Sequence, residues 1–282
     1  MIYKVTRKAI LIGCPGAGKD LLRGVEYDLK NMRSLLRSDK CGRWNDDEII
    51  TLPNPTRHEL FLHIQSTYAD YVFIYFSGHG WTSNTGKRML ALKDCSISDL
   101  ELLNRSPRQL VVADACRKYI TPGIGGFSDF GDRFENFSGT YESREIFNHY
   151  IANSPHGKII VHATQNNEFS YDSDNGGCFT QALINIATRL KTEQNYAPVP
   201  IANILRHVPS YLQKENNFQI PAITYKTGNL KVPFAFGFKK VIRRVPRAIP
   251  QRRLTTSNSI SLGHGVAFLG LTALLLIAAN SK

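Results

Sequence analysis

Short apolar runs alternate with amphipathic segments along the first 237 residues of this chain. Two runs dominate, in the strands that we predict at 71–77 and 109–115. Both runs, YVFIYF and LVVA, are apolar on both faces, as strands inside a parallel sheet are. Shorter runs of the same kind predict strands at 8–13, 48–52 and 158–163, with one or two closing strands within 219–236.

The segments between these runs repeat apolar residues with helical period, as Val25, Leu29, Met32 and Leu36 do. They predict helices at 21–38, 55–68, 97–104, 177–190 and 200–212. The polar sequence Ser-Asn-Thr-Gly within 81–92 predicts a hairpin instead. The alternation predicts an α/β fold, with a mostly parallel central sheet of about six strands and helices on both faces.

The pattern changes after residue 237. Residues 238–254 carry seven Lys and Arg and no acid, and residues 265–279 carry no charge at all. We therefore divide the chain into a folded domain at 1–237, a basic linker at 238–259 and a hydrophobic helix at 260–280.

The hydrophobic helix is long enough to cross a bilayer, since about twenty helical residues span about 30 Å. The basic residues before it fit the positive-inside rule. We predict a single-pass C-terminal membrane anchor that leaves the folded domain in the cytoplasm. An interfacial helix, or a helix buried against a partner, are the alternatives.

Most of the formal net charge of +12 belongs to the C-terminal end. Nine basic residues and no acids follow residue 230, leaving 26 basic against 23 acidic residues before it. The folded domain is therefore nearly neutral, and no specific nucleic-acid partner is predicted. The five cysteines are scattered, without a C-x-x-C spacing, so neither a disulfide framework nor a zinc site is expected.

Reactive side chains follow the two dominant strands. His79 stands in Ser-Gly-His-Gly directly after the first, and Cys116 ends Asp-Ala-Cys after the second. If the strands are neighbours, the imidazole can activate the thiol for nucleophilic attack, as in a cysteine protease. The backbone N–H groups of Gly80 and Cys116 could then form an oxyanion hole. A buried core cysteine and a hydrogen-bonded turn histidine are the alternative readings.

The sequence around this pair resembles that of the caspase and metacaspase family of cysteine peptidases, and specifically its prokaryotic members. The likeness rests on YFSGHG, on DAC some 35 residues later, on GGCFTQALI at 176–184 and on the Gln-x-Pro of FQIPAIT at 218–224. It implies a caspase-like fold, protein or peptide substrates, no cofactor, His79 as the base and Cys116 as the nucleophile. It also implies that Asp28 and Asp114 line the primary specificity pocket and select Arg or Lys. For Asp28, a solvated helix acid is the alternative.

Some features depart from the family or extend it. Arg117 and Lys118 follow the cysteine, where metacaspases usually have His-Ser-Gly. Many metacaspases are activated by calcium. In this chain, the support for such activation is limited to three acidic residues of a long loop: Asp129, Asp132 and Glu135. The same weakly patterned region offers Arg133 and Arg144 as points of self-cleavage. The family also suggests a regulated-death or defence role.

Two other functions fit parts of the sequence. GCPGAGK at 13–19 matches a phosphate-binding P-loop, although Asp20 stands where Ser or Thr would bind magnesium. A nucleotide-binding protein is therefore one alternative. The other is an inactive, caspase-shaped adaptor, which usually lacks the Cys or the His. The oligomeric state is not predicted.

Overall fold

The computed structural model describes residues 4–116, 142–165, 170–173, 175–214 and 217–239, and for Cys116 the backbone alone. The strands are β1 (Arg7–Cys14), β2 (Ile49–Pro53), β3 (Tyr71–Thr82), β4 (Arg88–Ala91), β5 (Ser96–Ser98), β6 (Arg108–Cys116), β7 (Gly157–His162), β8 (Asp172–Ser173), β9 (Gly176–Gly177), β10 (Lys191–Thr192), β11 (Ala197–Val199), β12 (Ala222–Gly228) and β13 (Ala235–Lys239). The helices are α1 (Val25–Arg37), α2 (Arg57–Ser66), α3 (Glu142–Asn153), α4 (Cys178–Arg189), α5 (Ile201–Leu205) and α6 (Val208–Gln213).

Six strands form the central sheet, in the order β12-β7-β6-β3-β1-β2. All neighbouring pairs are parallel except β12 with β7. This arrangement confirms the predicted α/β fold with a mostly parallel six-stranded sheet. The predicted hairpin is also present, because β3 continues past the sheet and pairs with β4 in antiparallel fashion.

Alternate residues of the central strands pack into two apolar layers, one on each face of the sheet. Along β3, Phe73 and Tyr75 belong to the layer that α1, α3 and α4 cover. Val72 and Ile74 belong to the opposite layer, against α2. The helices therefore lie on both faces, as the apolar-throughout strands predict.

Several element boundaries differ from the predicted ones for local reasons. The segment predicted as a helix at 97–104 is strand β5 followed by a 3₁₀ turn at Asp99–Leu102. The helix predicted at 200–212 is divided into α5 and α6, and Pro209 stands in the first turn of α6, where its missing N–H is tolerated. The capping position predicted for Thr56 is confirmed, because its hydroxyl accepts the Glu59 N–H at 3.3 Å.

A buried ion network joins the amino-terminal end of the sheet to α3. Arg144 in α3 donates to both carboxylate oxygens of Glu48, at 2.8 and 2.6 Å, and Arg7 donates to the same carboxylate at 3.4 Å. The self-cleavage prediction placed Arg144 in a weakly structured segment. That placement is wrong, since Arg144 lies in helix α3 and its guanidinium is hydrogen-bonded to Glu48.

Several predictions fall outside the described residues. They concern the basic linker and hydrophobic helix at 238–280 beyond residue 239, the residues after the cysteine (Arg117 and Lys118), the acidic residues (Asp129, Asp132 and Glu135) and Arg133. Among the residues that the structure does describe, no helix combines the length and the apolar character that a bilayer crossing needs.

Candidate active site

Strands β3 and β6 are adjacent and parallel, and their register brings the two predicted reactive residues together. Eight residue pairs align, from Val72 with Gln109 to His79 with Cys116. Neighbouring strands of a sheet lie about 4.8 Å apart, so the backbones of His79 and Cys116 are next to each other at the carboxyl edge. This is the edge where open α/β sheets bind their ligands.

A backbone carbonyl orients the His79 ring. Nε2 of the half-buried His79 lies 2.5 Å from the carbonyl oxygen of Asp20. Because a carbonyl oxygen only accepts, this contact assigns a hydrogen to Nε2. In the neutral imidazole the other nitrogen, Nδ1, is then left with a lone pair and can take up a proton. No sequence signal pointed to Asp20 as the partner of His79, since its backbone and not its side chain makes the contact.

The loop that carries the P-loop-like sequence packs against the same ring. Gly16 has a left-handed φ of +75°, and a Cβ there would lie 2.8 Å from Nε2 of His79. Helix α1 begins only at Val25, so residues 18–20 form a 3₁₀ turn and not the helix start on which a P-loop holds phosphate. Of the glycines in GCPGAGK, Gly16 is therefore explained by its close approach to His79, and Gly13 by its contact with Leu29 and Val25 of α1, without nucleotide binding.

The other four cysteines are poor candidates for the nucleophile. Cys14, Cys41 and Cys178 are buried thiols, and burial raises the pKa of each, to about 12 for Cys14. Cys95 is exposed, but desolvation and the neighbouring Asp94 raise its pKa as well. Because the thiolate is the reactive form, none of these four thiols is activated.

Asp28 and Asp114 come together on the face of the sheet that α1 and α4 cover. Asp28, in the first turn of α1, is 1% exposed, and it accepts hydrogen bonds from the Ser77 hydroxyl at 2.7 Å and the Gly177 N–H at 2.9 Å. The solvated-acid reading of Asp28 is therefore wrong. Asp114, two residues before Cys116, is 5% exposed.

Three donors surround the Asp114 carboxylate. The N–H and the hydroxyl of Thr180 donate to Oδ2 at 3.0 and 2.7 Å, and the Ser170 hydroxyl donates to Oδ1 at 3.0 Å. The Tyr75 hydroxyl lies 2.5 Å from the Thr180 hydroxyl behind it. The Gly-x-Phe-Thr sequence at 177–180 thus supplies a donor to each buried acid.

Both carboxyl groups are held in an environment that disfavours their charge. Burial, and then repulsion by Asp114, raise the pKa of Asp28 well above its ordinary value. Burial also raises the pKa of Asp114, while its bonds to Thr180 and Ser170 oppose this rise. Within the described residues, every hydrogen bond to either carboxylate comes from a hydroxyl or a backbone N–H, and none comes from Lys or Arg.

Asp172 is a third acid of this cluster, and the sequence reading missed it. It pairs with Gly177 between β8 and β9, its Oδ2 lies 3.4 Å from the Gly24 N–H, and its charge adds to the raised pKa of Asp28. In the sequence, Asp172 stands in a polar stretch, YDSDNGG, where an acid is unremarkable as a turn residue.

Glycines make room for the acids. A Cβ at Gly177 would lie 2.4 Å from Asp114 Oδ2 and 3.2 Å from Asp28 Oδ2, and a Cβ at Gly176 would lie 2.5 Å from Asp28 Oδ1. Both carboxylates therefore converge on one backbone segment. No group of three His, Cys, Asp or Glu side chains in the described part of the chain is arranged to hold a metal ion.

Comparisons with known proteins identify the family and agree with the fold. The family model described as the caspase domain matches residues 6–232. Among solved structures, caspase-1 from Spodoptera frugiperda is similar, with a TM-score of 0.51 and 19% identity over 83% of this chain and 90% of that one. A protein of Geobacter sulfurreducens has a TM-score of 0.51 and 15% identity, over 82% of this chain and 98% of its own. No curated protein matches the chain.

Proposed function

We propose that this chain, which belongs to the caspase domain family, is a cysteine endopeptidase that cleaves after Arg or Lys. The observation that carries the specificity is the pair of buried acids, Asp28 and Asp114, whose hydrogen-bond donors among the described residues are all neutral. Two such carboxylates in a poorly solvated site are matched by a cationic side chain, and a guanidinium can bind both.

The dyad part of the proposal assigns the nucleophile to Cys116 and the base to His79. Nδ1 of His79 takes the thiol proton, and the thiolate sulfur attacks the carbonyl carbon of the scissile bond. The backbone N–H groups of Gly80 and Cys116 donate to the oxyanion. As the C–N bond breaks, His79 returns the proton to the leaving amine. Water, deprotonated by the same imidazole, then hydrolyses the thioester and restores the thiol.

The Asp20 carbonyl has a defined part in this cycle. By accepting the Nε2 hydrogen at 2.5 Å, it keeps Nδ1 as the nitrogen that exchanges the proton. The same contact holds the ring in one orientation throughout the cycle. A backbone acceptor does this without adding another ionisable group to the site.

The test is a panel of peptide reporters that differ only in the residue before the scissile bond: Arg, Lys, citrulline and Asp. We expect cleavage after Arg and Lys, weak cleavage after citrulline, and loss of all cleavage in Cys116→Ala. Turnover that survives this substitution would rule out the nucleophile. Cleavage confined to Asp would keep the dyad but reject the role of Asp28 and Asp114.

We further propose that residues 260–280 anchor the enzyme to the cytoplasmic side of a membrane. The sequence supports this with an uncharged stretch at 265–279 that follows a basic cluster. Anchoring raises the effective concentration of the peptidase toward substrates on the same membrane.

A further inference from the structure

Gln219, in the Gln-x-Pro sequence before β12, reaches the specificity site from the far edge of the sheet. Its side chain is 1% exposed. The amide nitrogen donates to the Ala163 carbonyl at 3.1 Å and to the Ser170 hydroxyl at 3.0 Å. Because the Ala163 carbonyl can only accept, this contact identifies the nitrogen end of the amide. Both amide hydrogens are therefore used, one on each side of the connection between β7 and β8.

Ser170 passes this donation on to Asp114. Ser170 is 3% exposed, and its hydroxyl accepts the Gln219 N–H and donates to Asp114 Oδ1 at 3.0 Å. A hydroxyl has a single hydrogen, and an amide nitrogen cannot accept it. The Gln219 amide thus fixes the direction of the pair, so that the Ser170 hydrogen is presented to the carboxylate. The two hydrogen bonds therefore point the same way: the Gln219 amide donates to the Ser170 hydroxyl, and this hydroxyl donates to Asp114.

We propose that Gln219 is a positioning residue of the specificity pocket, which acts through Ser170 to orient the Asp114 carboxylate for a basic substrate side chain. The proposal rests on the proposed function only in the identity of the ligand that Asp114 meets. Gln219 itself contacts neither the substrate nor the reacting atoms. Its effect is to keep the Ser170 hydroxyl donating to Oδ1 of Asp114, while the N–H and hydroxyl of Thr180 donate to Oδ2.

Removing the donor while keeping the volume tests this relay. In Gln219→Met, the Ser170 hydroxyl loses the Gln219 N–H donor, so its donation to Asp114 is less strictly oriented. We expect the KM for the Arg reporter to rise about 5- to 10-fold, with kcat within a factor of two, since one hydrogen bond is lost at the pocket and none at the dyad. The KM for the citrulline reporter should change less.

A double-mutant cycle separates positioning from general damage. Ser170→Ala should raise the KM for Arg by a similar factor, and Gln219→Met should add nothing in that background if it acts through Ser170. Gln109→Met is the matched control. Gln109 is also fully buried and donates to the Leu102 carbonyl, but it lies at the opposite end of β6. It should lower stability without changing the ratio of KM values for Arg and citrulline.

A titration that needs no activity completes the test. The carboxyl ¹³C signal of Asp114, assigned with Asp114→Asn, should titrate at a pH about half to one unit higher in Gln219→Met, because the Ser170 hydroxyl is no longer held as a donor to the charged form. Gln219→Glu keeps the shape if Gln219→Met does not fold, and the same upward direction is expected. An unchanged titration of Asp114, or equal additive losses in the cycle, would overturn the positioning role. A wild-type chain that cleaves no reporter, yet shows the ¹³C shift, would instead refute the proposed function alone.

Discussion

Asp28 and Asp114 are buried beside each other, and the backbone at Gly177 lies against both carboxylates. Asp28 comes from the first turn of α1, and Asp114 comes from the end of β6. A single segment nevertheless supplies donors to both: the Gly177 N–H donates to Asp28, and the Thr180 N–H donates to Asp114. In the described part of the chain, the arrangement surrounds two acidic groups with neutral donors, and the proposed specificity assigns the countercharge to a cationic substrate side chain.

The first prediction concerns the dyad. Cys116→Ala and His79→Asn should each lower kcat/KM for the Arg reporter by about 10³-fold or more, because each removes a group that takes part in bond formation. Circular dichroism and thermal melting should stay close to wild type. Cys95→Ala, at an exposed cysteine, is the matched control and should retain full activity.

The second prediction is that recognition and stability oppose each other at Asp28. Asp28→Asn should raise the free energy of unfolding at neutral pH by about 1–2 kcal/mol, since a buried, repelled carboxyl becomes a neutral amide of the same shape. The amide oxygen can still accept from the Gly177 N–H, and the Ser77 hydroxyl can rotate to accept from the amide NH2 group. The same variant should lose about 10- to 100-fold in kcat/KM for the Arg reporter. Urea unfolding and reporter assays measure the two effects. A variant that is both less stable and equally active would contradict the assignment.

The third prediction is the pH dependence of stability. The folded pKa of Asp28 is raised, so the folded state holds a proton that the unfolded chain has already released. The stabilising contribution of this proton is complete below the ordinary Asp pKa of about 3.9 and is lost as the pH rises through the raised folded value. Wild type should therefore lose stability over this window relative to Asp28→Asn. Urea unfolding of both proteins at a series of pH values measures the difference.

The fourth prediction applies the same pKa to substrate binding. A bound cation favours the charged form of Asp28, so binding should release a proton, and KM for the Arg reporter should fall as the pH rises. The KM for the citrulline reporter, whose side chain is neutral, should depend on pH much less. Stopped-assay KM values over a pH series distinguish the two. Equal pH profiles for both reporters would show that the acids do not titrate with binding.

The fifth prediction concerns the loop over His79. Gly16→Ala should lower kcat by about tenfold, because a methyl group would displace the ring, and should also cost about 1 kcal/mol for a left-handed backbone. Gly18 has a similar φ of +63° in the same loop, with open space around its Cβ position. Gly18→Ala is therefore the matched control, and it should show the stability loss with kcat unchanged. Equal effects of the two substitutions on kcat would argue against the contact.

The sequence predicted the parts of the site that depend on periodicity. Wholly apolar runs locate β3 and β6, and the histidine and cysteine that follow them lie in register, as expected for neighbouring strands. The burial of Asp28 is also consistent with helical spacing, since it falls on the face that contains Val25, Leu29 and Met32.

The remaining parts depend on contacts between distant segments. The Asp20 carbonyl meets His79 through its backbone, which every residue type has, so composition carries no signal for it. Asp172 acts on Asp28 from a polar turn, through its charge. Gln219 acts on Asp114 through Ser170, from the segment before an edge strand. Their roles depend on contacts between residues that are far apart in the sequence, and the periodicity of apolar residues carries no information about such contacts. The prediction of a helix at 97–104 was wrong. Over so few residues, a short strand followed by a 3₁₀ turn can space its apolar residues as one turn of an α-helix does.

Within the described residues, only hydroxyl and backbone N–H groups bond to the buried acids, and this has a practical consequence for finding ligands. If the proposed pocket binds a cation, a guanidinium or amine that enters it favours the charged form of Asp28 and offsets its repulsion by Asp114. Small cations that cannot be cleaved, such as agmatine, should then raise the melting temperature of wild type and leave that of Asp28→Asn unchanged. A thermal-shift screen of cationic fragments could find inhibitors before any natural substrate is known.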